Sequence, residues 1–402
     1  MIALTYEGEE RQVNAGKRAY LRSAIGVCAL FGAALAAASA HAENQEAGED
    51  KLYFIGQDLA SIRGYLASDC CPVADGGTAY LGFYSLLDPD ANFGGLGVNQ
   101  DLEPIASEVG WGAGPVSAWK TAVETGGTHL AIGLDMTGEP EAGDLAQIAD
   151  GKFDPQIDHL ARFIAATGKT VLLRVGYEFD GAWNTAYGDH EAYVSAWKHI
   201  VERIRASGTN NVEFVWQGSA SPIDDVIDQG HDDIGLWYPG DDYVDWVGTS
   251  WFVNPDEVPV SARSSGYVPA SARTLTDELL DFARTRGKPV FVAELAPQGF
   301  DLQDGTRRHI TAIWDGPSGE GTVSLCPDQI WDGWYAKFLS YLNANNDVIH
   351  AVAYINADWD AQTMWGSPYA SGYWGNSRLE DSPQIAARWS EQIGRWRGDK
   401  EE

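Results

Sequence analysis

Hydrophobic positions along this chain follow two alternating rhythms. Short β-rich apolar runs recur, separated by longer stretches whose apolar residues return every third or fourth position. The runs lie at 52–56, 79–84, 129–134, 170–175, 212–216, 244–250, 289–293 and 349–355. Several are nearly continuous rather than alternating, as in strands buried on both faces of a parallel sheet. The longer stretches have polar starts and glycine or asparagine stops: 189–207 before Gly208, 275–286 before Gly287, and 329–342 before Asn343. They read as amphipathic helices that lay one apolar stripe on the sheet. Strands and helices alternating through eight strands predict an α/β protein closed as a (β/α)8 TIM barrel, a single domain. An open doubly wound sheet is the competing architecture. No glycine-rich phosphate turn follows the first strand, and Phe93-Gly94-Gly95-Leu96-Gly97 stands in a loop context.

The N-terminus departs from this rhythm. Lys17, Arg18 and Arg22 precede an apolar stretch over 23–37, and the small-residue site Ala40-His41-Ala42 follows. That layout predicts a secretory signal peptide over 1–42 and a mature barrel domain over 43–402. The apolar stretch is shorter than a membrane span needs, so a secreted protein, extracellular or periplasmic, with no membrane association is expected. Charge narrows the partners. The chain carries 58 acidic and 27 basic side chains, a formal net charge of −31. Such a surface repels phosphate polymers, which excludes nucleic acid. It favours neutral ligands over sulfated or uronic ones and suits a saline habitat, where repulsion is screened.

With Cys28 inside the removed segment, Cys70, Cys71 and Cys326 remain. An odd count in an oxidising compartment predicts one disulfide and one free thiol. Loops after the first and seventh strands of a barrel share a rim, so Cys326 is expected to pair with Cys70 or Cys71. A vicinal bond between Cys70 and Cys71 is the lesser alternative. No histidine or further cysteine stands at ligand spacing, and no metal or other cofactor is expected.

Two of the runs lead into carboxylates. One continues as Arg174-Val175-Gly176-Tyr177-Glu178-Phe179-Asp180-Gly181-Ala182-Trp183-Asn184, and the other as Phe291-Val292-Ala293-Glu294-Leu295-Ala296-Pro297. With a period of two, Arg174, Gly176 and Glu178 share a face, as do Val290, Val292 and Glu294. Both carboxyls are then expected inside the barrel at the C-terminal ends of strands four and seven. Either glutamate alone also fits a strand-end salt bridge. Together they match the needs of glycoside hydrolysis, one carboxyl protonated and one ionised. Arg174, one layer below Glu178, requires a buried partner and is expected to hold Glu294 ionised. Sixteen tryptophans and seventeen tyrosines are more than a core of this size needs. Trp183, Trp216, Trp251, Trp359 and Trp365 follow strand ends, where indole faces can stack on sugar rings. Asp58, Tyr177, Asp180, Asn184, Gln217 and Asp358 complete the expected substrate-binding set with Arg174. Ser250 or Trp251 is expected to orient Glu294.

The 174–184 segment, the segment Tyr238-Pro239-Gly240-Asp241-Asp242-Tyr243-Val244-Asp245-Trp246-Val247-Gly248 and the Glu294 strand together resemble glycoside hydrolase family 26. The resemblance runs roughly from residue 52 to 396. It implies a retaining β/α barrel with Glu178 as acid/base and Glu294 as nucleophile. The family's mannanases usually carry a histidine immediately before the acid/base and a tryptophan-rich run shortly after it. Here Tyr177 takes the histidine's place, and with Asp180, Gly181 and Asn184 the segment is similar to the family's β-1,3-xylanases. The resemblance therefore implies a monomeric endo-β-glycanase acting on a neutral plant or algal cell-wall polysaccharide, β-1,3-xylan first. A β-mannanase or mixed-linkage β-glucanase on the same scaffold is the alternative, and a non-catalytic polysaccharide-binding barrel a more distant one. Retention further implies carboxyls about 5–5.5 Å apart.

Overall fold

The computed structural model describes residues 51–57, 59–82, 115–137, 144–181, 183–222, 233–253, 270–308, 322–362, 365 and 373–399. The expected signal peptide and Asp58 lie outside the described residues. Eight parallel strands close into a barrel: β1 (Leu52–Gly56), β2 (Gly76–Gly82), β3 (His129–Asp135), β4 (Thr170–Val175), β5 (Val212–Gln217), β6 (Trp246–Trp251), β7 (Val290–Leu295) and β8 (Ile349–Ile355). They follow chain order around the ring, and β8 pairs with β1. Helices α1 (Leu59–Leu66), α2 (Pro115–Glu124), α3 (Asp144–Ala149), α4 (Asp154–Thr167), α5 (His190–Ala206), α6 (Ala272–Arg286), α7 (Ala336–Ala344) and α8 (Pro383–Arg397) lie between and after the strands. Among the described residues, no helix is long and apolar enough to cross a membrane.

The helix ends behave as their sequences dictate. Asp189 caps α5 by accepting from the Ala192 amide, and Ser271 caps α6 by accepting from Thr274. Gly287 closes α6 at φ 62°, a left-handed position that suits glycine. The helix expected over 329–342 is broken into a turn, Pro327–Ile330, a π-helical turn, Trp331–Tyr335, and then α7. That widened turn brings Trp334 Nε1 to the Phe252 carbonyl at 2.9 Å, beyond the end of β6. Strand β2 begins at Gly76, earlier than its apolar run, because Gly76 and Gly77 add no hydrophobic signal. They permit close strand approach: a Cβ on Gly76 would lie 2.3 Å from the His129 carbonyl oxygen.

Two apolar clusters define inside and outside. Phe54, Ala131, Leu172, Val215, Trp246, Phe291, Ala293, Ala351 and Ala353 fill the barrel. Alternate residues, among them Val171, Phe214, Trp216, Val247, Val290 and Val292, pack in the cluster between sheet and helices. On β7, then, Phe291 and Ala293 face inward, and plain alternation would send Glu294 outward with Val290 and Val292. A register shift between β6 and β7 corrects that expectation: Thr249 pairs with Val292 but Ser250 with Glu294. The extra residue rotates Glu294 into the interior.

The cysteines also differ from expectation. Cys70 and Cys71 form a vicinal disulfide, and Cys326 is free and exposed. The pair follows α1 rather than β1, and α8 separates it from Cys326. Ser390 of α8 donates to the Cys70 carbonyl, while Arg388 of the same helix pairs with Asp328, two residues from Cys326.

Candidate active site

Glu178 reaches the barrel interior by a route that strand periodicity does not describe. Strand β4 stops at Val175; Gly176 then takes φ 53° and Glu178 φ 52°. A Cβ at Gly176 would meet the Met136 methyl at 2.5 Å and the Tyr193 ring at 2.8 Å, so only glycine fits the first bend. The carbonyls that the bend frees from the strand are engaged by side chains. Trp197 Nε1 donates to Val175 O at 3.0 Å, Tyr193 Oη to Gly176 O at 3.0 Å, and Asn184 Nδ2 to Glu178 O at 2.8 Å. Asp180 accepts from the Ser219 amide at 2.6 Å. Asn184 and Asp180, expected to bind substrate hydroxyls, hold the loop that presents Glu178, and Asn184 also borders the cavity.

Below this bend lies a buried charge network. Arg174 is fully buried, and its Nη1 donates to Glu294 Oε1 at 2.7 Å and to Gln217 Oε1 at 3.0 Å. Its guanidinium also lies 5.1 Å and 5.0 Å from the ring centres of Tyr80 and Tyr177, which meet each other edge to face at 5.6 Å and offer it two adjoining cation–π contacts. Gln217 Nε2 meets Ser250 Oγ at 3.1 Å, and Ser250 Oγ donates to Glu178 Oε1 at 2.7 Å. Trp183 Nε1 donates to Glu178 Oε2 at 3.1 Å. Burial first, and then the negative charge of Glu294, pushes Glu178 up to about 8. Burial, reinforced by Glu294, likewise keeps the Tyr80 phenol protonated far above its ordinary range. The arrangement supplies one carboxyl that retains its proton near neutrality and one carboxylate in an ion pair.

These groups open into a cavity of about 540 Å³. On one side Trp183 is 52 % exposed. Opposite, Trp359 stacks on Trp374 at 5.2 Å, and Trp365 meets Trp374 at 4.7 Å. Tyr177, Trp183, Trp359 and Trp365 thus line the cavity as their positions suggested. Trp216 does not: Val215 faces inward, so Trp216 faces the helices, buried against Phe179 and Phe282. Trp251 borders the cavity, but its ring packs outward on Phe338 and Tyr341. Asp358 is absent from the lining; it accepts from the Ala361 amide and pairs with Arg378. Ser250 orients Glu178 rather than Glu294, whose cationic partner is Arg174. Tyr80, Gln57, Gln298, Phe252 and Trp374 line the cavity without having been singled out. Inward parity on β2 could have found Tyr80; the others sit on loops that carry no periodic signal. Among the described residues, no group of histidine, cysteine, aspartate or glutamate side chains could hold a metal ion.

Residues 138–278 match the profile of glycosyl hydrolase family 26. Over 374 residues the chain is 31% identical to the β-1,3-xylanase TXYA of a Vibrio species, covering 92% of this chain and 69% of that protein. A β-1,3-xylanase of an Alcaligenes species is 29% identical over 372 residues, covering 92% of this chain and 67% of its own. The catalytic domain of a family 26 endo-β-1,4-mannanase of a Bacillus species aligns with a TM-score of 0.50 at 16% identity, over 87% of this chain and 90% of that one. The last is a likeness of fold alone.

Proposed function

The chain belongs to glycosyl hydrolase family 26, and on that premise we propose that it is an endo-β-1,3-xylanase in which Glu178 is the acid/base and Glu294 the nucleophile. The observation that carries the roles is the unequal setting of the two carboxyls. Glu178 is buried, pushed up to about 8 and free of a cationic hydrogen-bond partner, whereas Glu294 is ion-paired with Arg174. In the first step a Glu294 oxygen forms a bond to the anomeric carbon as the bond to the leaving oxygen breaks, and Glu178 gives that oxygen its proton. Water then enters, Glu178 takes its proton, and the water oxygen displaces Glu294 with net retention. Arg174 keeps the nucleophile oriented, and Tyr80 and Tyr177 line the cavity beside it against the Arg174 guanidinium.

The choice of β-1,3-xylan rests on the two similar xylanases and on Tyr177, which stands where family mannanases usually have histidine. The tryptophans on both sides of Glu178 suit a neutral sugar chain. The same reading takes residues 1–42 as a secretory signal peptide and the mature protein as a secreted monomer acting on a polysaccharide.

The test is product release from β-1,3-xylan, mannan, mixed-linkage glucan and β-1,4-xylan, with Glu178→Ala and Glu294→Ala alongside. Xylo-oligosaccharides from β-1,3-xylan alone, lost in both variants, are expected. Release from mannan or glucan alone would overturn the substrate, and undiminished release by either variant would overturn the roles.

A further inference from the structure

A chain of hydrogen bonds joins the two carboxyls, and its direction follows from which groups can donate. Arginine has no acceptor, so the oxygen of the Gln217 amide must face Arg174, as Oε1 does at 3.0 Å. The other end of that amide is then its NH2 group, and Nε2 donates to Ser250 Oγ at 3.1 Å. The serine hydroxyl has a single proton and directs it to Glu178 Oε1 at 2.7 Å. Arg174 and Gln217 are 0 % exposed, Ser250 4 % and Glu178 8 %, so bulk water does not compete for these bonds. Each link fixes the next, and the last makes Oε1 an acceptor. Oε2 faces Trp183 Nε1 at 3.1 Å, beside the half-exposed indole.

Building on the reading of Glu178 as acid/base, we propose that Ser250, aligned by Gln217, is a positioning residue that keeps Glu178 Oε1 an acceptor and confines the transferable proton to Oε2, on the Trp183 side of the cavity. A proton on Oε1 would set its O–H against the serine O–H and leave a buried donor unpaired, whereas a proton on Oε2 weakens only the longer bond from Trp183, whose half-exposed N–H can turn to water, a preference of roughly ten- to a hundredfold for Oε2. The leaving oxygen must therefore approach from the Trp183 side, which sets that indole under the departing sugar. As the proton leaves Oε2, Glu178 becomes a carboxylate and the serine bond becomes charge-assisted, so the relay stabilises the state that then accepts a proton from water. The charged groups acting on Glu178 are Glu294 from β7, Arg174 from β4 and Asp180 from its own loop. Ser250, Gln217 and Trp183 face it as neutral donors or through the relay.

The experiment compares wild type, Ser250→Ala and Ser250→Thr on two aryl β-1,3-xylobiosides. The phenyl glycoside needs acid assistance, and the dinitrophenyl glycoside does not. In Ser250→Ala, kcat/KM for the phenyl glycoside is expected to fall roughly ten- to a hundredfold, with its alkaline limb displaced upward by about one pH unit. The sign follows because the lost bond favours ionised Glu178. The dinitrophenyl value is expected to change less than about threefold, and Ser250→Thr to restore both substrates. An unmoved limb, an equal loss on both substrates, or failure of threonine to restore the limb would overturn the relay. Glu178→Ala with azide separates the two levels. If azide does not restore turnover of the dinitrophenyl glycoside, the reading of Glu178 fails; if it does while the Ser250→Ala limb stays in place, only the relay fails.

Discussion

Burial and the charge of Glu294 push Glu178 up to about 8 from an ordinary value of 4.5. Between those pH values the folded chain holds a proton that the unfolded chain has released, so stability present below about 4.5 is lost as pH rises toward 8. Glu178→Gln cannot ionise yet can still accept from Ser250. It is expected to raise the unfolding temperature little at pH 5 and most at pH 8, a gain on the order of 1–3 kcal/mol, which calorimetry at the two pH values would read. A gain independent of pH would mean that ionisation is not its source. Arg174 carries the opposite balance. Arg174→Met would leave Glu294 buried without a cation and Gln217 without a fixed orientation, at an expected cost of about 3–5 kcal/mol in a denaturant titration together with loss of turnover. This partnership was legible in the sequence because an arginine facing into a barrel requires a carboxylate, and Glu294 stood at the end of another strand. Which glutamate Ser250 serves was not legible, since the choice depends on a register shift that no residue type announces.

Strand positions were readable as elements, and their interior faces only as far as the alternation stayed regular. Arg174 on β4 keeps the inward parity expected of it, in step with Leu172, and Val215 then decides between its neighbours on β5. Adjacent residues cannot face the same way, so Gln217 enters the network while Trp216 joins the helices. Both were expected in the cleft; periodicity alone could have separated them. Neither Glu178 nor Glu294, however, is delivered by plain alternation. Glu294 arrives through the extra residue opposite β6, and Glu178 through left-handed backbone at Gly176 and at Glu178 itself. Such bends depend on tertiary contacts, here Tyr193, Trp197 and Asn184, that are distant from a reading of local pattern. Gly176→Ala is accordingly expected to destabilise the fold by about 2–4 kcal/mol, from left-handed strain and overlap with Tyr193, and to reduce kcat as Glu178 shifts. Chemical denaturation and single-turnover kinetics would show both. Full activity with unchanged stability would mean that the bend is not what places Glu178.

The whole molecule carries a formal net charge of −31, while its described ion pairs other than the buried Arg174–Glu294, such as Arg63–Glu124 and Arg203–Asp158, lie at partly exposed positions. Exposed pairs contribute about 0–1 kcal/mol each, so screening them removes little. Repulsion among the excess carboxylates acts over longer distances and is cut as the screening length shrinks from about 10 Å at 0.1 M salt to about 3 Å at 1 M. Salt is therefore expected to raise the unfolding temperature at neutral pH, the repulsive term weakening more than the attractive one. Catalysis should respond differently. The cavity is walled by indoles, its charged pair is buried, and a neutral xylan would bring no charge to be steered. Between 0.1 and about 1 M sodium chloride, well below the unfolding temperature, kcat/KM is expected to stay within about twofold while the calorimetric midpoint climbs by several degrees. A midpoint that falls with salt would show that the surface pairs outweigh the net repulsion. A steep change in kcat/KM in either direction at constant stability would show that charge acts on substrate binding, in conflict with a neutral substrate.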